Sequence, residues 1–209
     1  RLMARSMQST AARDNRRLRM MMIVLFCLSS AGLAYQIALT RVFSLIYQYH
    51  YVFLVVSIAT LGLGVGAALT YGLLRNHNES AKSPFIATVM LTAVFLVVAV
   101  FLAGSRSASL SVMNIVIVLV PFLLIGWINA IVYWQFGANS TQLYGADLFG
   151  AVAGLILGPV LLPLLGPFGI ILAMGVIIGL AALILADGRQ QQILAIVLMV
   201  GMFAVTLVN

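Results

Sequence analysis

Long apolar runs, separated by short polar or glycine- and proline-containing stretches, occupy nearly all of the chain after residue 19. A helix that crosses a membrane needs about 20 consecutive apolar residues, and each run is close to this length or longer. The pattern predicts an all-α protein: a polytopic helical membrane bundle of about seven transmembrane helices with no soluble domain. The predicted spans lie near residues 20–46, 50–74, 84–104, 110–136, 143–164, 167–186 and 191–208.

Composition strengthens this prediction. Apolar residues make up 64% of the 209 residues and charged residues only 7%, and the mean hydropathy is +1.18. A soluble domain carries roughly a quarter charged residues, so this composition cannot supply a water-facing surface. The residues left between the spans are also too few for a catalytic domain with its own core. We therefore divide the chain into a basic cytoplasmic juxtamembrane segment, 1–19, and a helical transmembrane domain, 20–209.

The basic residues predict how the bundle is oriented. Six arginines precede the first apolar run, and with an inner N-terminus Arg75, Lys82 and Arg189 also lie inside. Only Arg41 and Arg106 then lie outside. Because Lys and Arg concentrate on the cytoplasmic side of membrane proteins, this distribution predicts a cytoplasmic N-terminus and an outer C-terminus. The arginines beside the first span should bind anionic phospholipids of the bilayer rather than nucleic acid.

Glycines four residues apart mark two predicted helix faces. Gly62 and Gly66 lie in the second span, and Gly150, Gly154 and Gly158 lie in the fifth. Small residues at this spacing let helix backbones approach closely inside a membrane, as in a glycine zipper, and such faces could also hold protein partners or a second copy of the chain. We expect the face of the fifth span to pack against another helix, first of all the helix that carries Gly62 and Gly66.

Asp147 is the main candidate for an intramembrane polar site. An ionised acid within a span costs several kcal/mol unless it is paired or neutralised, so we expect Asp147 to face the interior of the bundle. The alternatives are a capping role in the first turn of the helix, a structural polar network and a ligand contact. The possible partners are basic groups or amides on the inner side of the bundle. They are Arg189, Arg75, Lys82, Gln36, Asn114, Asn129 and Gln135.

Other reactive residues predict no metal, cofactor or catalytic site. His50 and His77 fall in opposite loops, without Cys, His or carboxylate partners at ligand spacing. The single cysteine, Cys27, lies within the first apolar run and is interpreted as a packed small residue. No set of residues has the spacing of a group-transfer site.

Two segments, 31–69 and 140–166, resemble the membrane domain of bacterial spermidine synthase-like proteins. In that family a tyrosine–glutamine pair followed by an arginine ends the first helix, and a tyrosine, an aspartate and glycines open a later helix. The matching polar residues, which complete the candidate polar site, are Tyr35, Gln36, Arg41, Tyr144 and Asp147. Gly62, Gly64, Gly66, Gly150 and Gly154 match the glycine-rich positions.

The resemblance implies a bacterial inner-membrane protein. Members of the family usually continue into a soluble polyamine aminopropyltransferase-like domain, whose cofactor loop and acidic amine-binding residues are absent from these 209 residues. Whether the chain is part of an enzyme is therefore open, and no catalytic position carries over.

Three functions from different classes remain. The first is a non-catalytic membrane domain, either the anchor of a spermidine synthase-like polypeptide or part of a membrane assembly. The second is a transporter or channel for a small amine or metabolite, with Asp147 as its cation site. The third is an accessory subunit that docks to larger partners through its smooth glycine faces.

Overall fold

A computed structural model describes residues 2–46, 52–76, 88–91, 93–95, 97–98, 112–186 and 188–208. These residues are almost entirely helical, and none of them lies in a β-strand. The helices are α1 (Leu2–Ile46), α2 (Val52–Asn76), α3 (Val112–Gln135), α4 (Ser140–Leu185) and α5 (Arg189–Val208). A short 3₁₀ turn, Gly137–Asn139, leads into α4, and the described residues within 88–98 are helical as well.

Four helical stretches are long and apolar enough to cross a membrane. They are Asp14–Leu45, Val52–Gly72, Asn114–Gln135 and Gly137–Leu185, and their mean hydropathies run from 1.9 to 2.8. The all-helical membrane class predicted from the sequence agrees with this result. The prediction of seven spans is not confirmed. Within the described residues, four stretches are long and apolar enough to cross a membrane, and the 84–104 run lies largely outside those residues.

The first helix is longer than the first apolar run. It begins at Leu2 and continues without a break to Ile46, so no change of structure marks the predicted boundary at residue 19. At 1.5 Å per residue its 45 residues extend about 68 Å, roughly twice the thickness of a hydrocarbon core. The arginine-rich segment is therefore a helical extension of the first span, and Arg16, Arg17 and Arg19 are exposed on it.

The fourth helix combines two predicted spans, 143–164 and 167–186. Its 46 residues would extend about 69 Å if they were straight, too long for one crossing. The helical geometry is interrupted at Gly166, where φ is 66° and ψ is 173°. A side chain would strain this left-handed conformation, and the next residue, Pro167, has no N–H to continue the helical hydrogen bonds. The chain therefore changes direction between two apolar segments.

The central helix of the bundle is α1. It makes its most extensive contact with α4 and also touches α2 and α3, while α2 packs mainly on α3 and α5 packs on α4. The core consists of side chains from α1, α2, α3, α4 and the helical residues near 91–95. Its fully buried members include Tyr35, Phe43, Phe95, Phe122, Leu28, Ile128 and Ile170. Large apolar side chains also cover the outer surface, as expected for helices that face lipid.

Candidate functional site

Asp147 is held by a hydroxyl on a neighbouring helix. The Ser29 hydroxyl of α1 donates a hydrogen bond to Oδ1 of Asp147 on α4. Both side chains are half-buried, and among the described side chains no basic group forms an ion pair with this carboxylate. Asp147 therefore faces a helix contact through a neutral donor, which differs from the basic and amide partners suggested by the sequence. Of those, Lys82 and the side chain of Arg75 lie outside the described residues.

The position of Asp147 along α4 rules out the capping alternative. The helix begins at Ser140, three residues earlier than the predicted span, and its first turn contains no acidic residue. Asp147 lies seven residues beyond this start, which places it about 10 Å along the axis. The free N–H groups of a helix lie in its first turn, so this carboxylate is too far along the helix to cap them.

One tyrosine shares the helix face of Asp147. Tyr144 precedes Asp147 by three residues on α4, so the two lie on nearly the same face, and the Tyr144 side chain is 60% exposed. Tyr133, on α3, lies within electrostatic range of both groups. Ser29, Tyr144 and Asp147, hereafter the Asp147 cluster, thus join α1 and α4, and the cluster reaches the surface at Tyr144.

A further polar atom, Oδ1 of Asn129, lies one helical turn before Tyr133 on α3. Oδ1 of Asn129 is buried and has no hydrogen-bond partner within the described part of the chain. Asn129 precedes Tyr133 by four residues on α3, so both belong to the same face of that helix. A buried acceptor without a donor costs about 1–3 kcal/mol.

Tyr35 does not join the Asp147 cluster. It is fully buried on α1, where its hydroxyl donates to the carbonyl oxygen of Val118 at 3.4 Å. Its ring packs on Phe95 and Phe122, with centroid separations of 4.9 and 5.0 Å. Six residues separate Tyr35 from Ser29, so at 100° per residue the two side chains leave α1 about 120° apart. Tyr35 is a core residue, not part of the same polar site.

The remaining predicted site residues are also apart from the cluster. Gln36 follows Ser29 by seven residues and lies on the same face of α1, but about 10 Å farther along the axis. Arg41 is exposed near the C-terminal end of α1. The five polar residues matched to the family pattern therefore do not form one site. Tyr144 and Asp147 come together, whereas Tyr35, Gln36 and Arg41 lie elsewhere on α1.

The glycine face of α4 packs on α1. A Cβ added at Gly150 would lie 2.8 Å from the Cα of Phe26, and one at Gly154 would lie 2.9 Å from the Cα of Ser30. Gly158 approaches the side chain of Ile37. The expected pairing with the helix of Gly62 and Gly66 is wrong, because α1 fills this position. Successive glycines along α4 contact residues of increasing number along α1. The helix α1 and the first half of α4 therefore run parallel.

The glycine face of α2 packs on α3. A Cβ at Gly62 would lie 2.6 Å from Phe122 Cβ, and one at Gly66 would lie 3.0 Å from the backbone nitrogen of Trp127. Gly126 of α3 makes the reciprocal contact with the backbone of Leu63. This is a second parallel helix pair with backbone-to-backbone approach, independent of the α1–α4 pair.

Sequence reasoning missed three contributors to these contacts. Ser29 and Ser30 form a small polar pair within the first span, and Gly126 is a single glycine within α3. Small residues inside membrane helices are a known signal for close helix contact, so each could have been suspected. Their partners could not, because the spacing within one helix does not show which other helix approaches it.

Within the described residues, no group of three or more His, Cys, Asp or Glu side chains could hold a metal ion. His50 and His77 lie outside those residues. Chemically, the Asp147 cluster offers one carboxylate and the hydroxyls of Ser29 and Tyr144. Such a set can accept hydrogen bonds and balance a positive charge.

Comparisons of the chain with protein-family models, with curated proteins and with solved structures find no match.

Proposed function

We propose that this chain is a non-catalytic integral membrane domain that serves as the anchor of a larger polypeptide or as a subunit of a membrane assembly. The observation that carries the proposal is the set of four apolar helical stretches joined by two backbone-close helix pairs. Large apolar side chains fill the core and cover much of the outer surface. Such a molecule is suited to holding a position in the bilayer.

The outer surface of the bundle supports a lipid environment. Exposed large apolar residues occur on every one of the five helices, among them Phe53 on α2, Phe149 and Leu164 on α4 and Val200 on α5. In water, an apolar surface of this extent would promote aggregation, whereas in a bilayer it requires no covering. We place the chain in the bacterial cytoplasmic membrane, with its N-terminal arginines on the cytoplasmic side.

The two parallel helix pairs are consistent with this orientation. Parallel neighbours start on the same side of a membrane, so the chain must cross back between α2 and α3. The helical residues described within 88–98 belong to that connection, and Leu91 and Phe95 are buried in the core. An inner start for α1 also gives an inner start for α4, as the basic residues predict.

The resemblance to the membrane domain of spermidine synthase-like proteins adds a proposal about context. In such a context this domain would place a soluble partner or fused domain at the membrane surface. The domain itself would contribute position and orientation but no reacting group.

Membrane fractionation tests the anchor proposal. A soluble fluorescent reporter fused to the chain should sediment with bacterial membranes and remain there after extraction at high pH, which strips peripheral proteins. A reporter fused to α5 alone (Arg189–Val208) serves as a control for non-specific association of one apolar segment. Release of the full-length fusion by alkaline extraction, or its recovery in the soluble fraction, would refute the proposal.

A further inference from the structure

We infer that Arg16, Arg17 and Arg19, hereafter the arginine face, bind the headgroups of anionic phospholipids in the leaflet on the N-terminal side of α1. The inference rests on the proposed function, since only a chain embedded in a bilayer presents this face to lipid headgroups. The sequence suggested such lipids for the N-terminal arginines as a group. The structure selects three of them, because they share one exposed surface at one level of the bundle.

The three arginines cover the outward half of one helical turn. Arg16, Arg17 and Arg19 are exposed, whereas Leu18 between them is 9% exposed and belongs to the core. At about 100° per residue the arginines span an arc of about 160°, with Leu18 opposite its middle. Asp14, the nearest acid along the chain, lies on the side of Leu18. Within the described part of the chain, no hydrogen bond or ion pair engages any of the three arginines.

The contacts between α1 and α4 give the level of the arginine face. The backbone of Phe26 lies against Gly150, and the backbone of Ser30 lies against Gly154. Both contacts have the same offset along the two parallel helices. Residues 16–19 of α1 therefore lie at about the level of the first turn of α4.

An aromatic pair lies at the same end of the bundle. Tyr71 of α2 and Trp134 of α3 pack edge to face, with ring centroids 6.0 Å apart, and both side chains are more than half exposed. Trp134 is followed closely by the turn that leads into α4, so the pair and the arginine face share one side of the bundle. Exposed Tyr and Trp collect at the boundary between hydrocarbon and headgroups. The arginine face therefore lies near the level of lipid phosphates.

Anionic headgroups match this face in charge and in geometry. A guanidinium is always charged and can donate two parallel hydrogen bonds to one phosphate. Each basic residue beside an anionic leaflet strengthens the attraction about fivefold. Phosphatidylcholine has the same phosphate but also a cationic choline, so its headgroup has no net charge and should bind more weakly than phosphatidylglycerol.

Native mass spectrometry of the full chain in detergent micelles, with equal amounts of these two lipids, tests the inference. We expect the wild type to retain phosphatidylglycerol in preference to phosphatidylcholine. The triple variant Arg16→Gln, Arg17→Gln, Arg19→Gln should bind phosphatidylglycerol at least tenfold more weakly. Because the replaced side chains are exposed, its unfolding temperature should match that of the wild type.

A pair of single variants provides a matched control. Arg17→Gln should weaken phosphatidylglycerol binding about fivefold. Arg41→Gln removes one exposed arginine near the C-terminal end of α1, away from the arginine face, and should change binding less than twofold. Equal effects of the two substitutions would show that the chain responds only to its total charge, which would overturn the inference.

Other outcomes also decide against the arginine face. Equal binding of phosphatidylglycerol by the wild type and the triple variant would overturn the inference, as would equal retention of the two lipids by the wild type. Binding of a short DNA duplex in place of phosphatidylglycerol would overturn it in favour of nucleic acid. A chain that withstands alkaline extraction but shows no lipid preference would refute only this inference, whereas release by alkaline extraction would refute the anchor proposal.

Discussion

A single hydrogen bond decides how an acid is accommodated in an apolar helix. Asp147 lies about 10 Å beyond the start of α4, where an ionised carboxylate facing hydrocarbon would cost several kcal/mol. Ser29 removes part of this cost by donating to it from α1. The bond lies beside the glycine contacts at Phe26 and Ser30, so close backbone approach brings the two polar side chains within reach of each other.

Paired substitutions should show this coupling. We expect Asp147→Asn to be mild, because the amide oxygen still accepts from Ser29, whereas Asp147→Leu leaves that hydroxyl without its partner and lowers stability by about 1 kcal/mol. A double-mutant cycle of Ser29→Ala and Asp147→Leu, measured by unfolding in detergent, should give a coupling energy of about 0.5–1.5 kcal/mol. Strictly additive effects would mean that the bond contributes nothing to folding.

Tyr35 offers a different prediction, because its ring matters more than its hydroxyl. The hydroxyl makes only a long 3.4 Å bond to Val118, while the buried ring contacts Phe95 and Phe122. Tyr35→Phe should therefore cost less than about 1 kcal/mol, and Tyr35→Ala about 3–5 kcal/mol through the cavity it leaves. Thermal unfolding of both variants checks the order, and a larger loss for the phenylalanine variant would contradict it.

At the scale of helices, glycine positions differ in which atoms a side chain added there would meet. Gly66 and Gly64 are two residues apart on α2, and by sequence they look equivalent. A Cβ at Gly66 would meet the backbone of Leu123, whereas one at Gly64 would find nothing within 4 Å. Successive side chains around a helix are 100° apart, so two neighbouring glycines face different surroundings.

This difference predicts opposite results for one substitution. Gly66→Ala should force α2 and α3 apart and destabilise the protein by about 1–3 kcal/mol, as overpacking does. Gly64→Ala is the matched control and should be neutral or slightly stabilising, because alanine favours the helix. Unfolding in the same detergent would compare the two, and equal stabilities would show that α2 does not contact α3 through Gly66.

The α1–α4 pair allows the same comparison. Gly154→Ala would place a Cβ against the backbone of Ser30. A Cβ at Gly145, on the same helix, would find nothing within 4 Å. We expect Gly154→Ala to lower the unfolding temperature and Gly145→Ala to leave it unchanged or higher. A melting curve of Gly154→Ala that matches the wild type would place this face toward lipid.

At the scale of the molecule, the parallel packing of α1 and α4 predicts which helix ends lie on the same side of the membrane. Since α1 and the first half of α4 run in the same direction, their starts should lie on one side of the membrane and the end of α1 on the other. Asn15 is exposed near the start of the apolar stretch Asp14–Leu45 of α1, and Ala138 is exposed just before α4. Ser44 is exposed near the end of α1.

Cysteine labelling should reveal this arrangement. In a Cys27→Ala background, Asn15→Cys and Ala138→Cys should resist an impermeant thiol reagent in intact cells and react after permeabilisation. Ser44→Cys should react in intact cells. The distribution of basic residues and the parallel helices both predict this result. Labelling of Asn15→Cys and Ser44→Cys from the same side would contradict the predicted orientation.

The amino-acid sequence by itself determined the class of the protein. Apolar runs of span length lead to membrane helices whatever their neighbours are, because each backbone polar group in lipid has to be satisfied within its own helix. The break near Gly166 and the need of Asp147 for a polar partner follow from the same local physics. Local rules also indicated that the glycine faces would be contact surfaces.

The tertiary structure decided which surfaces meet. Gly150 could pack on any smooth helix, and only the fold selects α1 over α2 for it. Asp147 could have been satisfied by several donors, and the fold brings it Ser29. Contacts between distant helices depend on how several surfaces pack together, and no spacing within a single helix contains that information.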